Sequence, residues 1–129
     1  MSSEHSGGVT IDSREENFWH EPAEGTKLSR VQIKRSFTGD VEGTSEANLL
    51  LAQGEAGGGY MACERFTGSI GGRSGSVVFN HGRLNGGGQP LVTFGVIIPG
   101  SGTDGLAGAT GTVNFQFSPN GNSVVVNFD

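Results

Sequence analysis

The stretch LSRVQIKRSFT, residues 28–38, decides the fold class. Its apolar residues Val31, Ile33 and Phe37 lie two and four positions apart, and polar residues occupy the positions next to them. Successive side chains of a β-strand point to opposite faces, so this spacing gives a strand with one buried face and one wet face. Arg35 interrupts the apolar face. The stretch therefore predicts a half-buried strand rather than a helix.

Similar period-two stretches recur along the chain, between clusters of Gly, Asn, Asp and Pro that favour turns. They predict eight strands: Val9–Trp19, Leu28–Thr38, Gly43–Gln53, Gly59–Thr67, Ser74–Gly82, Gln89–Ile98, Thr110–Phe117 and Asn122–Phe128. Glycine supplies 24 of the 129 residues and tolerates the positive φ angles that tight hairpins require. We expect an all-β fold, with a flexible leader over residues 1–8 and one domain over residues 9–129.

Closure of the sheet is the next expectation. An open sheet of eight strands exposes two edges and needs a second layer, whereas a closed sheet removes the edges. A single eight-stranded antiparallel β-barrel is therefore favoured over a sandwich.

Charge and cysteine content exclude several classes of function. A formal net charge of −5 opposes binding to nucleic acids or anionic membranes. No apolar run reaches the roughly 18 residues of a membrane helix. Cys63 is the only cysteine, so an internal disulfide is impossible and a reducing compartment, the cytoplasm, is the expected location.

Four longer segments carry a family resemblance: FWHEP (18–22), SFTGDVEG (36–43), ERFTGSIGGRSGS (64–76) and PGSGTDGLAG (99–108). In this order they resemble a family of small bacterial proteins catalogued as a domain of unknown function, with the allene-oxide-cyclase-like barrel. The last segment also resembles a turn of plant allene oxide cyclases and dirigent proteins. Those relatives steer cyclisation or coupling of small, largely apolar molecules inside the barrel. The resemblance implies an oligomer of identical chains.

Two familiar types of site are not supported by their context. Residues 100–105, GSGTDG, satisfy the G-x-G-x-x-G pattern of dinucleotide sites, but the glycines and strand that follow leave no helix to face a pyrophosphate. The histidines His5, His20 and His81 show no metal-ligand spacing, so we expect no metal and no cofactor. Cys63 beside His81 would suit a nucleophile, but Cys63 is more simply a small buried residue.

The strand around Glu64 holds the candidate chemistry. Alternation places Glu64 on one face with Tyr60 and Phe66, and hairpin pairing brings it near Phe79 or His81. A carboxyl group buried in an apolar interior has a raised pKa and becomes a proton donor near neutral pH, unless a cation offsets the burial. Arg35 is the candidate cation. Glu64, His81 and Arg35 are the candidate catalytic residues.

Aromatic residues are the candidate substrate contacts. Tyr60, Phe66 and Phe79 are expected to line the interior, and Trp19 and Phe94 its mouth. The structural alternative is that these rings form the core, and that the charged trio is a satisfied polar cluster that fixes strand register.

Three functions follow from different classes. The first, implied by the resemblance, is a cofactor-independent cyclase or isomerase acting by acid–base chemistry on a small apolar substrate. The second is a non-catalytic binder of a small apolar ligand, for which an eight-stranded barrel has just enough room. The third is a structural, oligomeric protein whose barrel is filled by side chains.

Overall fold

Eight strands make up most of the chain in the computed structural model, which describes residues 3–129. They are β1 (Ser3–His20), β2 (Lys27–Gly39), β3 (Val41–Gln53), β4 (Gly57–Ile70), β5 (Arg73–Gly86), β6 (Gln89–Ile97), β7 (Gly111–Ser118) and β8 (Gly121–Phe128). Helical structure within residues 3–129 is limited to one 3₁₀ turn, Asp104–Leu106. The all-β class and the eight strands are confirmed. Residues 3–129 include no helix that could span a membrane.

The strands form one antiparallel sheet that closes on itself. Each strand pairs with its neighbour in sequence, and β1 pairs with β8 to complete the ring. The ring is uneven, because β6 and β7 share only the pair Val96–Thr112, whereas β7 and β8 pair from Gly111–Phe128 to Ser118–Gly121. The sheet is therefore a closed but irregular barrel with a weak seam between β6 and β7.

The first strand begins earlier than the sequence predicts. Residues 3–8, assigned above to a flexible leader, pair with β8 from Ser3–Phe128 to Gly8–Ser123. His5 also forms a hydrogen bond with the Asp40 carboxylate. Backbone pairing holds this segment without an apolar face, which explains why its polar sequence gives no strand signal. The prediction of a flexible leader is therefore wrong for residues 3–8. Residues 1 and 2 lie outside the described residues.

Inward side chains form two apolar clusters with a polar layer between them. The smaller cluster is formed by Val31, Ile33, Ala47, Leu49 and Ala62. The larger cluster contains five phenylalanines: Phe37, Phe66, Phe79, Phe115 and Phe128. Along β2 the inward positions pass from the smaller cluster at Ile33, through buried Arg35, to Phe37 in the larger cluster. The interior on the phenylalanine side is filled by side chains.

Candidate functional site

Four buried polar side chains make up the layer between the two apolar clusters: Arg35 from β2, Ser45 from β3, Glu64 from β4 and His81 from β5. Strand alternation points each of them inward. The register pairs Arg35 with Ser45 and sets His81 opposite Ala62, two residues from Glu64. The structure therefore brings together the three residues predicted from sequence, Arg35, Glu64 and His81.

Glu64 is the centre of this polar layer and is fully buried. Its Oε1 accepts a hydrogen bond from Nε2 of His81 at 2.8 Å, and its Oε2 accepts one from the Ser45 hydroxyl at 2.5 Å. Nε of Arg35 lies 3.1 Å from Oε2 at an angle that makes this contact an ion pair rather than a hydrogen bond. The Arg35 guanidinium also covers the ring of Phe115 at 4.9 Å.

The surroundings of Glu64 keep it ionised. Burial raises the pKa of this carboxyl group, but the His81 hydrogen bond, the Arg35 charge and the Ser45 hydrogen bond together outweigh burial, so the pKa lies below the ordinary value of 4.5. Arg35 thus supplies the offsetting cation considered above. Glu64 does not fit the role of a proton donor near neutral pH; it is a fixed carboxylate that orients His81.

His81 links Glu64 to Tyr60. The Tyr60 hydroxyl lies 3.1 Å from Nδ1 of His81. Because Nε2 faces a carboxylate, it carries a proton, and in neutral His81 the unprotonated Nδ1 accepts the phenol proton. Burial raises the pKa of Tyr60, against the lowering effect of Arg35 and Arg83. A hydrogen-bonded chain therefore runs from a protonated phenol, through an imidazole, to a carboxylate.

The hydrogen-bonded series Tyr60–His81–Glu64 ends at a pocket of about 230 Å³ in the weak seam between β6 and β7. The pocket is lined by Tyr60, His81, Gly82, Arg83, Thr93, Phe94, Gly95, Thr112, Val113, Asn114, Phe115 and Asn127. His81 and Phe115 are inward residues, whereas Thr112 and Asn114 alternate with the buried positions of β7 and face outward. The pocket consequently passes through the wall of the barrel, from the outer surface to Tyr60 and His81.

Gly95 helps to form this passage. It pairs with His81 across β5 and β6, so no side chain from β6 covers the imidazole. A Cβ atom at this position would lie 1.8 Å from the Val113 carbonyl oxygen, a distance that no substitution tolerates without backbone movement. The close approach of β6 to β7 at this point therefore requires glycine.

The predicted aromatic contacts divide into three groups. Tyr60 and Phe94 line the pocket. Phe66 and Phe79 are fully buried and belong to the larger apolar cluster, so the structure places them in the core rather than against a substrate. Trp19, at the end of β1, is 66% exposed and does not line this pocket. The mouth of the site is thus formed by the seam, and the end of β1 takes no part in it.

Sequence reasoning missed several lining residues. Arg83 follows His81 by two residues in the same strand, so alternation alone would have placed it on the inward face. Thr93, Gly95 and Asn114 had no such signal, because their role depends on where β6 and β7 separate. A single pairing position between two strands cannot be read from either strand's sequence.

The cysteine, metal and dinucleotide sites considered from the sequence are not found at this pocket. Cys63 is exposed on the outer face of β4, so the expectation of a buried cysteine is wrong and the thiol points away from His81. Within residues 3–129 no group of three or more His, Cys, Asp and Glu side chains is arranged to hold a metal ion. Residues 100–105 lead only into the 3₁₀ turn and then β7.

Comparison with known proteins gives a family and a fold. Residues 5–129 match the family described as "Protein of unknown function (DUF3224)". A crystal structure of a protein of unknown function from the DUF3224 family of Shewanella oneidensis MR-1 matches with a TM-score of 0.87 and 25% identity, covering 100% of this chain and 97% of that chain. No curated protein matches the chain.

Proposed function

Because the chain belongs to the DUF3224 family, to which no activity is attached, we propose a function from the site itself. The protein binds a small molecule in the seam pocket and moves a proton on it, as a cofactor-independent isomerase or cyclase. The observation that carries this proposal is the hydrogen-bonded chain Tyr60–His81–Glu64, which has its phenol end in a pocket. A polar layer serving only to fix strand register does not require that opening.

Tyr60, His81 and Glu64 each have a role in proton transfer. As the Tyr60 oxygen takes a proton from a substrate carbon, the electron pair of the broken C–H bond stays on the substrate as a carbanion, and the phenol proton passes to Nδ1 of His81. The imidazolium that forms is stabilised by the Glu64 carboxylate at Nε2. The return of the proton to a different carbon restores Tyr60 and neutral His81, so the reaction needs no oxidant and no cofactor. Arg35 is a positioning residue that keeps Glu64 ionised.

The resemblance to allene-oxide-cyclase-like barrels supports the same class of reaction. Those relatives steer cyclisation or coupling of small, largely apolar molecules. The substrate expected here is smaller and more polar, because the phenylalanine cluster fills the neighbouring interior and the pocket combines the rings of Phe94 and Phe115 with Thr93 and Asn114. A pocket of about 230 Å³ is below the size typical for drug-sized ligands.

Solvent deuterium tests this proposal without a known substrate. Proton transfer through Tyr60 and His81 exchanges with water, so a metabolite extract of the source cells incubated in D₂O with the protein is expected to gain one deuterium in a specific compound. Liquid chromatography with mass spectrometry detects the labelled compound. The His81→Asn variant is expected to reduce the labelling rate by about 10²-fold or more, because the imidazole can no longer take the proton.

Cys63→Ser is the matched control, since Cys63 lies on the outer face of the barrel; its labelling should equal that of the natural sequence. Equal labelling by the natural protein and His81→Asn would contradict the mechanism. An extract without any protein-dependent label would contradict the enzymatic function.

A structural role is the second candidate. The outer face exposes large apolar side chains at Leu50 on β3, Met61 on β4 and Phe94 on β6, which suits contact between copies of the chain. That the protein forms a homo-oligomer stays a prediction of the resemblance. A purely structural protein would give no label in D₂O, so the same experiment separates the two candidates.

A further inference from the structure

Arg83 is a cation in the lining of the seam pocket, and the proposed proton transfer does not use it. It lies opposite Tyr60 on β4 and opposite Thr93 on β6, and all three residues line the pocket. Its guanidinium stands 5.9 Å from the ring of Phe117. Among residues 3–129, no acidic side chain forms a salt bridge with it.

The charge around the pocket is positive in a protein that is acidic as a whole. The pocket lining contains no aspartate or glutamate. The nearest carboxylate in the polar layer, Glu64, is already paired with Arg35. Arg83 is therefore an uncompensated positive charge beside a concave, partly apolar surface, while the chain carries a net charge of −5. Such a local field attracts small anions and repels cations.

From this geometry we infer that the pocket binds a small carboxylate, with its carboxylate group on Arg83. The planar guanidinium matches the two oxygens of a carboxylate, and the amides of Asn114 and Asn127 at the same pocket supply further donors. The volume of about 230 Å³ equals roughly eight water molecules in the liquid, which suits a compact organic acid.

The position of Arg83 fits the proposed reaction. Residues directly opposite each other in an antiparallel pair have Cβ atoms about 5 Å apart, so one small molecule can touch Arg83 with its carboxylate and Tyr60 with a neighbouring carbon. That this acid is a substrate rests on the proposed function, whereas its binding at Arg83 does not.

Titration with benzoate, followed by ¹H–¹⁵N NMR at constant ionic strength, tests the inference. Benzoate is expected to shift the backbone amides of Gly95 and Asn114, and benzamide, which has the same shape without the charge, is expected to bind at least about tenfold more weakly. Arg83→Gln should weaken benzoate binding by about tenfold or more. Arg30→Gln is the matched control, because Arg30 is exposed on the outside of β2, and it should bind benzoate like the natural sequence.

Each outcome decides one question. Equal binding by Arg83→Gln, equal binding of benzamide, or an absence of shifts at pocket residues would overturn the carboxylate site. Inorganic phosphate binding more tightly than benzoate would overturn the choice of carboxylate. A protein that binds benzoate at Arg83 but labels no metabolite in D₂O would retain this site and lose the proposed reaction.

Discussion

Replacement of Glu64 by glutamine is expected to lower the free energy of unfolding by about 3 kcal/mol, because it leaves the Arg35 charge buried without a counter-charge. Both side chains are almost fully buried, with relative exposures of 3% for Arg35 and 0% for Glu64. Glutamine keeps the size and part of the hydrogen bonding, which places the loss at the lower end of the range for a broken buried pair. Urea unfolding monitored by circular dichroism measures the change.

The matched control is Glu46→Gln on the neighbouring strand. Glu46 pairs with Lys34 at 3.7 Å, but both side chains are well exposed, at 73% and 66%, so the free energy of unfolding should change by no more than about 0.5 kcal/mol. If Glu64→Gln also changed stability by less than about 1 kcal/mol, the Arg35 charge would not depend on Glu64, and the described ion pair would be contradicted.

The loss of stability caused by Glu64→Gln is expected to depend on pH. The pKa of Glu64 is lower in the folded protein than its ordinary value of 4.5, so the carboxylate stabilises the fold fully above about pH 4.5. That contribution is lost as the pH falls through the lower, folded pKa. The stability difference between the natural sequence and Glu64→Gln should therefore be constant near neutral pH and shrink in acid. A difference that grows in acid would reverse the sign of the assigned shift.

Replacement of Tyr60 by phenylalanine is expected to lower kcat by about 10²-fold to 10³-fold once the labelled substrate is known, because the hydroxyl is the group that exchanges a proton with it. The Michaelis constant should change little, since the ring that lines the pocket remains. Stopped assays of deuterium incorporation give both constants.

Stability separates this effect from a structural one. Tyr60→Phe removes one partly buried hydrogen bond to His81, so its free energy of unfolding should fall by only about 1 kcal/mol. A kcat equal to that of the natural sequence would exclude Tyr60 as the proton-transfer group. A loss of kcat accompanied by unfolding would assign the residue a structural role instead.

The sequence predicted much of this architecture for a simple physical reason. In β2 and β4, one face is buried and the other is wet, so the period of two in apolar residues directly reports the inward face. The same period of two identified Arg35 and Glu64 as charged residues on an otherwise apolar face. An ionisable residue at an inward position requires a partner, and this requirement led to the trio with His81.

What the sequence did not reveal depends on tertiary geometry. The state of Glu64 follows from four groups on four strands, since only the distances to Arg35, Ser45 and His81 determine whether burial or pairing prevails. The pocket arises where β6 and β7 share one paired position, and no alternation pattern encodes that separation. Residues 3–8 carry no strand signal because backbone pairing, rather than an apolar face, holds them in the sheet.

The most direct test of the proton relay formed by Tyr60, His81 and Glu64 is the protonation of the His81 ring nitrogens, measured by long-range ¹H–¹⁵N NMR. His81→Asn identifies the signals by their loss. Because Nε2 faces the Glu64 carboxylate at 2.8 Å, it is expected to be the ring nitrogen that carries the proton in neutral His81, while Nδ1, which faces the Tyr60 hydroxyl, accepts a hydrogen bond. An unprotonated Nε2 at neutral pH would contradict the Tyr60–His81–Glu64 relay.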